Sequence, residues 1–220
     1  MPRMRIRFLL IVSLFVSLFA APLSAQTSEL GIFINHTSYS TSKASDSTIG
    51  LTEADVKFDS KAGYGISYNH FLSPDTSMQL SANRLRGDAK VTVTAGGVTA
   101  TEAGGSLELD EYDASYHIYI NPKGRVRAYI GSGVALLRSG KLKVAADPGD
   151  SIQAGSVKLK SKTTWLIDGG VDISVTQSIA ISLAAQYTRY TADLDTTPDD
   201  LFQHLKLNPV SISAGLRFRF

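Results

Sequence analysis

The chain has 220 residues, with 22 Lys/Arg against 20 Asp/Glu and no cysteine. It therefore builds no disulfide and takes no lipid anchor on a thiol, and its even charge lacks the basic footprint of a nucleic-acid binder. The one long apolar run, residues 8–21, is shorter than the roughly 20 residues of a spanning helix, which excludes a helical membrane protein.

Residues 1–25 read as a secretory signal peptide. Arg3, Arg5 and Arg7 form its positive start, residues 8–21 its apolar core, and Leu23-Ser24-Ala25 a cleavage site after the helix-breaking Pro22. Taking those three arginines from the 22 basic residues leaves 19 against 20 acidic ones. The exported part, residues 26–220, is expected to be a single domain.

Eight segments of that domain alternate apolar and polar residues with period two, the mark of a β-strand with two unlike faces. Residues 30–37 set Leu30, Ile32 and Ile34 against Gly31, Phe33 and Asn35, and residues 62–70 set Tyr64, Ile66 and Tyr68 against Gly63, Gly65, Ser67 and Asn69. Residues 77–85 set Met78, Leu80 and Ala82 against Gln79, Ser81 and Asn83. In residues 109–120, Tyr112, Ala114, Tyr116, Ile118 and Ile120 oppose Asp113, Ser115, His117 and Tyr119. In residues 126–136, Ala128, Ile130, Val134 and Leu136 oppose Arg127, Tyr129, Gly131 and Gly133. Residues 163–173 set Trp165, Ile167, Val171 and Ile173 against Leu166, Asp168, Gly170 and Asp172, and residues 178–190 set Ile179, Ile181, Leu183 and Tyr187 against Ala180, Ser182, Ala184 and Gln186. Residues 210–220 alternate without a fault and finish on Phe218, Arg219 and Phe220.

Short turns (71–76, 121–125, 174–177) alternate with long polar stretches (38–61, 86–108, 137–162, 191–206). That is the layout of an outer-membrane barrel, with the short turns periplasmic. Every backbone amide in a bilayer needs a partner, so the strands must close. The fold class read from this pattern is all-β: an eight-stranded antiparallel transmembrane β-barrel. A secreted lipocalin-like barrel has the same period with its apolar wall inward. Two features decide for the membrane. The polar face is rich in Gly, Ser and Ala, which suits a crowded interior, and the apolar face carries aromatics near both strand ends, as at bilayer interfaces. Trp165 belongs to that outer girdle.

Several segments resemble the outer-membrane protein W (OmpW) family. Residues 116–134, with Tyr129-Ile-Gly-Ser-Gly133, are similar to its fourth strand, turn and fifth strand. Gly170-Val-Asp172, Asp193-Leu-Asp-Thr-Thr197 and Leu207-Asn-Pro209 resemble later segments in the same order. The resemblance covers the second half of the exported chain. It implies a bacterial outer-membrane channel for passive uptake of small hydrophobic molecules, with the terminal Phe218 and Phe220 presented to the outer-membrane assembly machinery. Membrane lipids and a small hydrophobic ligand are the other expected partners, and a monomer is expected.

Parity also assigns candidate sites. Arg127, Asp172, Arg217 and Arg219 face inward near the short turns and form a periplasmic ion-pair floor, since buried charges persist only when paired. A ligand blocked by that floor would leave sideways, and Pro209, which donates no ladder hydrogen bond, is the lateral-exit candidate. Phe33, Tyr119, Tyr129 and Leu166 are the large inward residues and the ligand-channel candidates. A lipid hydrolase would need a nucleophile and base on one face; His36 and Ser38 share a face, and His117 lies inward beside Ser115, two strands' width from other acids. No catalytic residue is assigned from these pairs. Four histidines in separate segments give no metal spacing, and no cofactor is expected. The alternative function is a structural or adhesive barrel acting through its surface loops.

Overall fold

The computed structural model describes residues 28–40, 42–46, 51–95, 98–144, 155–158, 160–193 and 204–220. The expected signal peptide and cleavage site, and residues 194–197 of the resembling segment, lie outside them.

Among the described residues twelve strands follow one another: β1 (Ser28–Ser38), β2 (Ser42–Asp46), β3 (Leu51–Ser73), β4 (Thr76–Ala95), β5 (Val98–Ile120), β6 (Val126–Val144), β7 (Gly155–Lys158), β8 (Lys162–Ser174), β9 (Ile179–Thr188), β10 (Thr191–Asp193), β11 (His204–Lys206) and β12 (Val210–Arg219). Eight of them are staves, in the order β1-β12-β9-β8-β6-β5-β4-β3, and β1 pairs β3 to close the ring. All pairings are antiparallel. The short β2 and β7 extend the wall beside β3 and β6, and β10 pairs β11 as a separate hairpin. This is a closed eight-stranded antiparallel barrel.

The turns at one end are tight for identifiable reasons. Pro74-Asp75 joins Ser73 to its partner Thr76. Asn121 adopts φ 56° and its carbonyl accepts from Gly124 N–H at 3.1 Å, a left-handed conformation that asparagine tolerates better than most residues. Thr176 Oγ1 accepts from the backbone of Ser178 and Ile179 at 3.2 and 3.0 Å. At the same end Ser28 and Phe220 exchange both backbone hydrogen bonds, each 2.9 Å.

Outward side chains form an exposed apolar band that includes Ile34, Ile66, Ile120, Ile130, Val134, Ile181 and Ile212. Trp165 and Tyr187 meet at its outer edge with ring centroids 5.6 Å apart. Inward side chains along the same strands are polar and buried: Asn35, Ser67, Gln79, Asn83, Asp113, His117 and Ser182.

The stretches expected as long loops beyond this band are in large part strand. The β4–β5 hairpin stays paired to Ala95 and Val98, roughly 35 Å of strand beyond Arg84 at about 3.3 Å per residue. Alternation continues there with its polarity reversed. Ion pairs line the outside: Arg84–Asp110 at 2.9 Å, Lys61–Asp88 at 2.7 Å, Lys90–Asp59 at 2.5 Å and Arg86–Glu108 at 3.8 Å. Inside, Phe58, Leu85, Ala89, Leu107, Leu109, Ala135, Leu137, Leu166, Tyr190 and Leu207 form one buried apolar cluster. Polar residues face out where water bathes the wall, and apolar residues fill the lumen where no lipid is available.

Candidate functional site

The barrel interior is stacked in three layers, and on the neighbouring β4 and β5 the inward positions change character in register, Leu85 pairing with Leu109 and Asn83 with Glu111. On β4 the step is Leu85 to Asn83, on β5 Leu109 to Glu111, and on β8 Leu166 to Asp168.

The layer at the short-turn end is the charged floor. Arg127 Nη2 donates to Glu29 Oε1 at 2.7 Å and to Asp172 Oδ2 at 3.3 Å. Arg217 Nε lies 3.3 Å from Asp172 Oδ1 and donates to Ser182 Oγ at 3.2 Å. Arg219 Nη2 donates to Glu29 Oε1 at 2.8 Å. Aromatic faces complete the coordination of these cations. The Arg127 guanidinium lies 5.4 Å from the ring centres of both Phe71 and Tyr119, and Arg217 lies 5.4 Å from that of Tyr129. Arg127, Asp172, Arg217 and Arg219 thus lie together. The hub they share, Glu29, was not among the sequence candidates. It stands one position before the segment read as alternating, with the inward parity of Gly31, so extending that strand by one residue would have found it.

The middle layer is acidic. Glu111, 1% exposed, accepts from Gln186 Nε2, from Thr188 Oγ1 at 3.2 Å and from Asn83 Nδ2 at 3.4 Å. Asp113 accepts from Ser81 Oγ at 2.5 Å and Asn83 Nδ2 at 3.1 Å. His117 is not remote from acids, as the sequence reading had it. Its Nε2 is 2.8 Å from Asp168 Oδ2 and 2.9 Å from Ser115 Oγ. The two side chains reach each other across β6 because Gly131 pairs with both residues and has no side chain. A Cβ there would stand 2.3 Å from Asp168 Oδ1 and from His117 Cδ2. A cavity partly continuous with solvent reaches from Leu85 and Glu111 to Tyr129 and Arg217 and is lined by polar groups including Asn35, Gln79, Asn83 and Asp168. Phe33 lies at its wall, wedged between Gly65 and Gly215, where added Cβ atoms would meet it at 2.5 Å.

The outer layer is the apolar cluster, capped by Tyr39, whose ring meets Phe58 edge-on at 5.8 Å. Burial first, and then the Glu111 carboxylate, push the Tyr39 hydroxyl well above the ordinary phenol range, so it stays neutral. Of the four ligand-channel candidates, Phe33 and Tyr129 both line the cavity, while Tyr119 and Leu166 lie outside its lining. Leu166 belongs to the outer layer and Phe33 to the cavity wall, and Tyr129, at the bottom of that cavity, meets Tyr119 of the floor with ring centroids 5.3 Å apart.

Pro209 lies between the outer and middle layers. It stands opposite Thr188, whose N–H donates to its carbonyl at 3.0 Å. Proline has no N–H to return the second bond of such a pair. Beyond it the wall is joined again: Leu207 and Asn208 N–H donate to Tyr190 O at 2.9 and 3.1 Å, and Tyr190 N–H donates to Asn208 Oδ1 at 3.0 Å. His36 points outward and is exposed, and Ser38 Oγ lies 3.1 Å from Ser60 Oγ.

The family described as "Outer membrane protein beta-barrel domain" matches residues 11–220. No curated protein matches the sequence. Among solved structures, the outer membrane protein OprG from Pseudomonas aeruginosa is similar over 89% of this chain and 96% of its own, with 14% identity and a TM-score of 0.70. Neisserial surface protein A is similar over 88% of this chain and 97% of its own, with 14% identity and a TM-score of 0.55. The outer membrane protein AlkL, solved in DMPC lipid bilayers, covers 89% of both chains at 14% identity and a TM-score of 0.55. At such identity the likeness is one of fold.

Proposed function

This chain belongs to the outer-membrane protein β-barrel domain family and resides in the bacterial outer membrane; from that premise we propose that it is a channel of the OmpW kind for passive uptake of small hydrophobic molecules, released sideways into the bilayer. The observation that carries this reading is the order of the three layers. An apolar compound arriving from outside gains by replacing contacts in the Leu85, Leu109 and Leu166 cluster. It then faces buried carboxylates and, below them, a floor of paired arginines, and stripping those groups of their partners is costly. The wall beside that boundary is where Pro209 removes a ladder hydrogen bond, so a sideways path there crosses no charged layer.

Export by a signal peptide in residues 1–25, delivery to the assembly machinery through Phe218 and Phe220, and a monomeric state belong to the same proposal. A hydrolytic role is not part of it. A nucleophile, base and orienting acid need the two imidazole nitrogens for different partners, whereas Ser115 and Asp168 both address Nε2 of His117 and its Nδ1 has no partner.

The test is uptake across asymmetric outer-membrane vesicles of an alkane against a sugar of similar size. Leu109→Asn is expected to lower alkane transfer, and Pro209→Ala to slow it with sugar exclusion unchanged. Equal alkane transfer by wild type and Pro209→Ala would remove the exit. Transfer of neither solute would favour the alternative, a structural or adhesive barrel. The projecting β3–β4–β5 hairpins, with their solvent-facing charges, supply a surface for it.

A further inference from the structure

We infer that the compound taken up carries a protonated amine: its apolar body lies in the outer layer and its ammonium group at Glu111 and Asp113. This rests on the uptake reading and names the substrate class of the same site.

Two independent observations support it. The first is charge. Glu111 and Asp113 are buried and adjacent inward positions of β5, and every described group that hydrogen-bonds them is neutral: Asn83, Gln186, Thr188 and Ser81. The nearby imidazole, His117, is engaged by Asp168, and the arginines are engaged in the floor. A buried carboxylate is stabilised when a cation replaces lost water, and no described side chain supplies one here.

The second is a set of buried acceptor oxygens left without a partner. Asn83 is 8% exposed, and its Nδ2 is committed to the two carboxylates, which fixes its amide and leaves Oδ1 without a partner. Gln79, 9% exposed, leaves Oε1 without a partner, and Asp168 leaves Oδ1. All three residues line the cavity, together with Asn35 and Arg217, whose Nδ2 and Nη1 also lack a hydrogen-bond partner. These free oxygens accept and do not donate, so they suit a guest rich in N–H. An ammonium group has three such donors, while a carboxylate has none and meets like charge.

The inward steps Leu109 to Glu111 and Leu85 to Asn83 place the apolar and acidic layers one strand repeat apart, roughly 7 Å. A chain of a few methylenes attached to an amine spans both. Arg217 and Tyr129 close the cavity below, so the head group stops at the acids while the body remains beside the Pro209 wall.

The experiment is a methyl and side-chain amide NMR titration of the full barrel in lipid nanodiscs with octylammonium, octanol and octanoate. Octylammonium is expected to bind about tenfold more tightly than octanoate, from charge-assisted hydrogen bonds. It should shift the Leu85, Leu109 and Leu166 methyls together with the Asn83 and Gln186 side-chain amides. The Glu111→Gln, Asp113→Asn double variant should reduce that preference to about onefold, and Asp88→Asn, on the outer surface, should keep it. The wild-type ratio stands as a test even if the double variant does not fold. Octanol binding at the leucine methyls with no preference for the ammonium compound overturns this inference and leaves hydrophobic uptake standing. If none of the three compounds moves those methyls, both fall.

Discussion

The membrane-spanning half of the barrel and its outer extension are made from the same strands, yet they are inside out relative to each other. On β5, Tyr112, Tyr116, Ile118 and Ile120 face lipid while Glu111, Asp113 and His117 face the lumen; a few residues outward, Asp110 and Glu108 face water while Leu109 and Leu107 are buried. On β5 the parity does not change at that height, although bulges interrupt the pairing with β6 between Glu108 and Asp110 and that of β3 with β4 between Lys61 and Tyr64. The surrounding medium does change, and each half puts outside what its own medium solvates. Charge is therefore a structural necessity in one half and a surface decoration in the other, and mutation separates the two.

Glu29→Ala should have the largest effect. It leaves Arg127, Arg217 and Arg219 short of a shared carboxylate inside the membrane half, a loss of about 3–5 kcal/mol readable as a lowered urea midpoint for unfolding in lipid. Leu109→Ala empties a position in the outer apolar cluster and should cost about 2–5 kcal/mol. Local hydrogen exchange at Leu107 and Leu137 should rise while the floor stays protected. Gly131→Ala forces a methyl group between His117 and Asp168, and overpacking of that kind costs about 1–3 kcal/mol. A result near zero would mean that the two side chains can part freely. Arg84→Ala breaks an ion pair of the same chemistry as the floor, but on the watery outside. It should cost only about 0.2–1 kcal/mol, and a cost equal to that of Glu29→Ala would erase the contrast between the halves.

The smallest effect is a titration. A hydrogen bond from Lys90 holds the Asp59 carboxyl below its ordinary range. A depressed folded-state pKa contributes stability above the unfolded value and loses it as pH falls through the folded one. In Lys90→Ala the Asp59 carbonyl resonance should therefore titrate at a higher pH than in wild type.

Period-two patterning was sufficient to find all eight staves, to place Arg127, Asp172, Arg217 and Arg219 on one side of the wall, and to put Trp165 on the other. It failed where polarity reversed. Residues 86–95 alternate as well as any stave, with Arg86, Asp88 and Lys90 against Gly87 and Ala89, but a reading that expects apolar residues outside sees only a polar stretch. The site was harder to read because contacts across staves depend on register. His117 and Asp168 meet only because both pair with Gly131, and the height at which Leu109 gives way to Glu111 matters because β4 changes in register beside it, from Leu85 to Asn83. Parity gives the side of a wall, and register gives the neighbours.

The paired backbones of Ser28 and Phe220 mean that the wall has no first or last member once folded. A short peptide joining those two residues would leave every stave in its place, and the chain could be cut at the far tip of a hairpin instead. Such a rewired barrel would keep its ring of hydrogen bonds while linking Phe220 to Ser28. It would show whether Phe220 matters as a piece of the wall or as an address read before the wall exists.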